Sequence, residues 1–219
     1  MTSFHSVLWV GLALLAGLPA QAKYPHRFDA KVEQLLTKEF LENSALPRVV
    51  FTGSSSIVRW QNLKTQFPHR DVNNLGFGGS QFSDLIHFYD ELIKNQRPDL
   101  LFIYEGDNDI ARGKEPGVVF EQAKELITRI RSDLPQTRIV LIAPKPCLAN
   151  WAKRDSYRKL NALLADLCDS QDNLEFADVW SAMVDDTGVV LQDLFVADGD
   201  HMNTKGYAIW TEVISPFLD

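Results

Sequence analysis

Five short segments built around β-branched, aromatic or other apolar residues recur along the chain, at residues 49–52, 72–75, 100–104, 139–142 and 174–177. Each reads as a strand, and between them the apolar spacing changes from continuous to three-and-four. Phe82, Leu85, Ile86, Tyr89, Leu92 and Ile93 make one helical face, and Val119, Ala123, Leu126, Ile127, Ile130 and Leu134 a second. Tyr157, Leu160, Leu164 and Leu167 make a third, and Tyr207, Trp210, Ile214 and Phe217 the last. Strands that are apolar on both faces need cover on both faces, and helices between consecutive strands supply it. The pattern therefore predicts an α/β domain on a five-stranded parallel sheet. In such sheets ligands bind beyond the carboxyl ends of the strands, so segments that follow strands are where function is sought.

The amino terminus reads differently. Residues 7–18 are almost wholly apolar and lead into Pro19-Ala20-Gln21-Ala22, an A-x-A cleavage pattern. The expectation is a signal peptide over 1–22, cleavage near Ala22, export to the periplasm or beyond, and one domain over 23–219. The region before the run has no Lys or Arg, which departs from the usual signal pattern. The run is shorter than the ~20 residues a membrane span needs, so no stable anchor is expected. The formal charge is -7, and residues 1–22 hold no Asp, Glu, Lys or Arg. So acidic a domain lacks the basic stripe that nucleic acid requires. Cys147 and Cys168 would form a bridge or remain two buried thiols; the sequence leaves both open. His26, His69, His87 and His201 are scattered and no Cys-x-x-Cys occurs, so no metal and no cofactor are expected.

Four segments carry chemistry. Gly53-Ser54-Ser55-Ser56 ends the first strand, where a serine hydroxyl stands at the top of the sheet with its N–H at a helix start. Helix capping of a short helix over 57–63 is the plainer reading of the same serines. Asn74-Leu75-Gly76-Phe77-Gly78-Gly79-Ser80 follows the second strand and precedes a helix beginning near Gln81. Its glycines permit a close backbone approach, as an N–H donor to an oxyanion or as a tight turn. Asn108, after the third strand, offers an uncharged amide donor or an Asx turn, and Asp109 offers a carboxylate to backbone N–H groups. Asp198 and His201 stand three residues apart before Asn203-Thr204, a good helix cap. That spacing lets the carboxylate meet Nδ1 while Nε2 faces away.

In this order the four segments resemble the SGNH hydrolases, also called the GDSL esterase family, over most of residues 48–217. The small bacterial exported acyl-hydrolases similar to platelet-activating-factor acetylhydrolase are the nearest in look. The resemblance implies a flavodoxin-like three-layer α/β/α sandwich and a serine esterase acting on a small-molecule ester without a cofactor. It further implies Ser55 as nucleophile, His201 as base and Asp198 as its orienter, with Ser55 N–H, Gly79 N–H and the Asn108 amide as oxyanion donors. The family's first block usually has Asp where this chain has Ser54, which bears on the hydrogen bonds around Ser55. Lysophospholipids and acetylated sugars are among the substrates such a fold takes, and Trp60, Phe77 and Trp151 are candidate wall residues. Two other readings use other features. Asp107, Asp109, Asp198 and Asp200 with His201 would serve a metal-dependent phosphoesterase, and the same fold without catalysis would be a ligand-binding module.

Overall fold

The computed structural model describes residues 26–37 and 45–218, and the expected leader lies outside them. The five strands are β1 (Arg48–Gly53), β2 (Asp71–Gly76), β3 (Leu100–Tyr104), β4 (Arg138–Ile142) and β5 (Leu174–Ala177). They form one all-parallel sheet in the order β2-β1-β3-β4-β5. All five segments are strands, and every residue of β3 is buried. The α-helices, in chain order, are α1 (Asp29–Leu35), α2 (Ser55–Val58), α3 (Leu63–Gln66), α4 (Phe82–His87), α5 (Asp107–Ala111), α6 (Pro116–Asp133), α7 (Arg154–Asp169), α8 (Val179–Ala182) and α9 (Thr204–Ile214). The result is the expected flavodoxin-like three-layer sandwich.

The strand order places the site. After β1 the chain moves outward to β2, then crosses back to β3 on the other side of β1. The loops after β1 and β3 therefore diverge and leave a crevice at the carboxyl ends of the strands. Register is tight there, with Gly53 opposite both Gly76 and Tyr104. An aromatic stack runs through one layer. Phe51 and Phe102 lie parallel at 4.2 Å, and Trp210 of α9 meets Tyr104 edge-on at 5.0 Å.

Three expectations need correction. The helix over 57–63 is instead two short helices, α2 and α3, because Trp60 turns inward between them, and its Nε1 donates to Gln66 Oε1 at 2.7 Å. The face from Phe82 to Ile93 is likewise divided, into α4 and a wider π turn over Asp90–Lys94. Phe77 and Trp60 are core residues, not wall residues, at 0% and 2% exposure. Of the three aromatics proposed for a substrate wall, Trp151 alone stays partly exposed, stacked on Trp180 at 6.2 Å.

Candidate active site

The turn after β1 depends on a missing side chain. Gly53 has φ +124, and a Cβ there would lie 2.0 Å from the Tyr104 carbonyl oxygen. Ser54 N–H then donates to that oxygen at 3.0 Å, holding the chain against β3. Ser55 follows as the first residue of α2, partly exposed, while Ser54 and Ser56 are buried. The Ser55 N–H is one of the donors a helix start leaves unused.

After β2, Phe77 N–H donates to Gly53 O at 2.8 Å, which lays the glycine loop beside the serine turn. A Cβ on Gly78 would stand 3.5 Å from Ser55 Cβ. Gly79 has φ +84, and Arg27 and Arg112 both donate to its carbonyl, at 3.2 and 3.3 Å. Neither Ser55 N–H nor Gly79 N–H donates to any group among the described residues.

Asn108 lies on α5, just past Gly106 with its φ of +100. Its Nδ2 donates to Ser54 Oγ at 2.5 Å and to Ser80 O at 2.9 Å, so Ser54, at the position where the family usually has Asp, accepts from this amide. Ser80 Oγ donates to Glu105 Oε1 at 2.5 Å. Burial pushes the Glu105 carboxyl well above the usual carboxylate range, and its Oε2 has no partner. Burial thus disfavours the charged form of Glu105 beneath Ser80. Asp109 Oδ2 accepts from Phe82 N–H at 3.3 Å, as its sequence position suggested, and Oδ1 meets Lys114 Nζ at 2.7 Å.

The loop before α9 brings the last pieces. Asp198 Oδ1 accepts the N–H groups of Asp200 and His201, at 3.0 and 2.9 Å. Asp198 Oδ2 meets His201 Nδ1 at 2.7 Å, and His201 Nε2 meets Ser55 Oγ at 2.9 Å. The His201 N–H bond first, and then the imidazole, hold the Asp198 carboxyl well below its ordinary range. Asn203 caps α9 by accepting from Lys205 N–H and Gly206 N–H. Tyr207 OH donates to Ser56 O at 2.8 Å, tying α9 to α2.

One buried cation escaped the sequence reading. Lys145, at 1% exposure between Pro144 and Pro146, places Nζ 3.2 Å from Asp107 Oδ2 and 3.3 Å from Asp200 Oδ1. Burial works against its charge, but Asp107 and then Asp200 outweigh that and raise its pKa. Tyr104 and Tyr157 also donate to Asp107, at 2.6 and 2.8 Å. A lysine between two prolines just beyond an apolar strand was the available signal. The four aspartates of the phosphoesterase reading thus turn to protein partners, Asp107 and Asp200 to Lys145, Asp109 to Lys114 and Asp198 to His201. Among the described residues no group of three His, Cys, Asp or Glu converges as a metal site. Cys147 and Cys168 are free and buried, and burial pushes their thiols up to about 11 and about 12.

Comparisons with known proteins agree with this layout. No curated protein matches the sequence of this chain. A GDSL-like lipase from Bacteroides thetaiotaomicron superposes with a TM-score of 0.71 at 18% identity, over 88% of this chain and 97% of that one. A Streptococcus pneumonia protein, provisionally described as a platelet activating factor, gives 0.74 at 20% identity, over 87% and 90%. A catalytic mutant of an acetylxylan esterase from Geobacillus stearothermophilus gives 0.65 at 16% identity, over 78% and 94%. The model of the GDSL-like Lipase/Acylhydrolase family matches residues 46–209, and with that match the chain belongs to this family of carboxylic ester hydrolases.

Proposed function

We propose that the protein is a serine esterase in which Ser55, His201 and Asp198 act as nucleophile, base and orienter. The observation that carries this reading is the pair of contacts at 2.9 and 2.7 Å linking Ser55 Oγ to His201 and His201 to Asp198. His201 Nε2 takes the Ser55 proton as Oγ bonds to the ester carbon. Asp198 keeps the other ring nitrogen protonated and supports the imidazolium. Ser55 N–H and Gly79 N–H point to no other acceptor and serve the oxyanion. The Asn108 amide joins them by sharing the hydrogen that it gives to Ser54 Oγ in the free enzyme. His201 then returns its proton to the leaving alcohol oxygen as the carbon–oxygen bond breaks. Water, giving a proton to His201, attacks the acyl-enzyme, and that proton ends on Ser55 Oγ as the acid leaves.

Esters of small and medium acyl groups fit this reading, with lysophospholipids and acetylated sugars as the two substrate types to compare. The acetylxylan esterase similarity favours testing sugars first. Export after cleavage of residues 1–22 goes with such polymer- or lipid-derived substrates. A fluorophosphonate probe is expected to label wild-type protein at Ser55 and to leave Ser55→Ala unlabelled. Equal labelling of both would refute the assignment.

A further inference from the structure

The protein is acidic, at -7, yet one edge of the site gathers cations that face no carboxylate. Arg112 follows Asn108 by four positions, and its N–H donates to the Asn108 carbonyl at 3.0 Å. Four positions and a helical hydrogen bond put both side chains on one face of the same turn. The Arg112 guanidinium accordingly lies against the oxyanion loop, with one nitrogen donating to Gly79 O at 3.3 Å. The side chain is exposed and makes no ion pair among the described residues. A guanidinium has five N–H donors, and beyond the bond to Gly79 O no other hydrogen bond of this side chain is seen among the described residues.

Lys153 stands beside it. Its Nζ donates to the carbonyls of Ile110 and Ala111, at the end of the helix that Arg112 terminates, and it too has no carboxylate partner. The neighbouring Arg154 lies 5.7 Å over the ring of Trp151, the partly exposed aromatic. Arg27 differs, because Asp84 already neutralises it at 2.8 Å. Arg59 likewise faces a carboxylate, Asp198 at 3.8 Å, so at this edge the cations without a carboxylate partner among the described residues include Arg112 and Lys153, in the segments that follow β3 and β4.

We propose that Arg112, supported by Lys153, forms an anion subsite, and that the enzyme prefers esters whose acyl part ends in a carboxylate or a like anion. This rests on the Ser55–His201 reading for its direction. The leaving oxygen must face His201 Nε2, which protonates it, and the carbonyl oxygen faces Gly79 and Asn108. The acyl substituent is then directed away from His201, along the edge that Arg112 and Lys153 occupy. A tethered carboxylate there would make a charge-assisted bond with the guanidinium.

The test compares the 4-nitrophenyl monoester of adipic acid with 4-nitrophenyl hexanoate, which match in chain length and differ in the terminal charge. Wild type is expected to favour the adipate ester about 10-fold or more in kcat/KM, mostly through KM, with 0.5 M salt reducing the ratio. In Arg112→Gln, which removes the charge and keeps an amide donor, the ratio is expected to fall to about one. A wild-type ratio of one or less overturns the subsite. So does an Arg112→Gln variant that slows both esters in equal proportion, since that marks a role in positioning the loop alone. Faster turnover of 4-(hexanoyloxy)benzoate than of the adipate ester overturns the acyl-side direction. Binding decides the matter without turnover. Ser55→Ala protein titrated calorimetrically with monomethyl adipate should bind it more tightly than methyl hexanoate, and adding Arg112→Gln should remove the difference. No hydrolysis of any ester would count against the Ser55 mechanism, while this titration would still support or overturn the subsite.

Discussion

At the residue scale the site separates two aspartates that the sequence places one residue apart on either side of Gly199. Asp198 meets Nδ1 at 2.7 Å, whereas Asp200 Oδ2 is 4.0 Å from Nε2 and its other oxygen is bound to Lys145. Asp198→Asn cannot hold the productive tautomer and is expected to lower kcat by about 10³-fold or more, the order seen when a triad carboxylate becomes an amide. Asp200→Asn keeps a neutral acceptor for Lys145 and is expected to cost less than about 10-fold. Steady-state rates for the two variants check this, and equal losses would return the acidic cluster to other chemistry. Asn108→Ala is expected to reduce kcat by about 10²–10³ with the thermal midpoint little changed, because it removes an oxyanion donor from a partly exposed position. In this chain Ser54 holds that amide in place. A hydroxyl accepts the same hydrogen without placing a charge beside the nucleophile.

At the element scale, the central strands β1, β3 and β4 were legible because burial on both faces forces a near-continuous apolar run, while β2 and β5 were legible from shorter apolar cues at the same spacing along the chain. Three of the four motifs were legible for a related reason, since they follow β1, β2 and β3, while Asp198 and His201 were legible from their spacing just before the capped start of α9. What could not be read were the short elements, whose form is set by contacts distant in sequence. The helix expected over 57–63 breaks because Trp60 packs against Phe51 and Trp210. α5 was read only as a turn, for five residues carry too little periodicity. The role of Glu105 was equally hidden, because only the fold shows that its carboxyl is buried beneath Ser80. Its raised pKa has a definite consequence. Folded protein keeps this proton after unfolded protein has lost it, so stability falls as pH rises from the unfolded value toward the folded one. Glu105→Gln keeps an acceptor for Ser80 and cannot ionise. Its melting temperature is expected to exceed that of wild type at pH 8, with the advantage vanishing near pH 4. Thermal melts across that range check the sign, and an advantage largest in acid would contradict it.

At the scale of the whole molecule, His201 and Ser55, the proposed base and nucleophile, are 146 residues apart and meet within a hydrogen bond. His201 precedes α9 and Ser55 begins α2, so their spacing depends on how α9 docks. Two contacts do this in different ways. Trp210 fills the core against Tyr104 and Trp60, with an indole nitrogen that finds no hydrogen-bond partner among the described residues. Tyr207 reaches across to the carbonyl of Ser56, the residue after the nucleophile. Trp210→Phe loses packing but no hydrogen bond, and is expected to cost about 1–3 kcal/mol of stability while leaving kcat within about twofold at temperatures well below the melt. Tyr207→Phe loses one bond of about 1 kcal/mol, equivalent to a melting shift of about 2–4 °C for a domain of this size. It is nonetheless expected to lower kcat more than Trp210→Phe does, because it frees α9 to shift along the line between His201 and Ser55, and small misplacements at a reacting pair are costly. Denaturation midpoints and rates measured on both variants decide the point. If activity follows stability, with Trp210→Phe the slower enzyme, then the core as a whole sets the distance between base and nucleophile, and the Tyr207 bond has no special part in it.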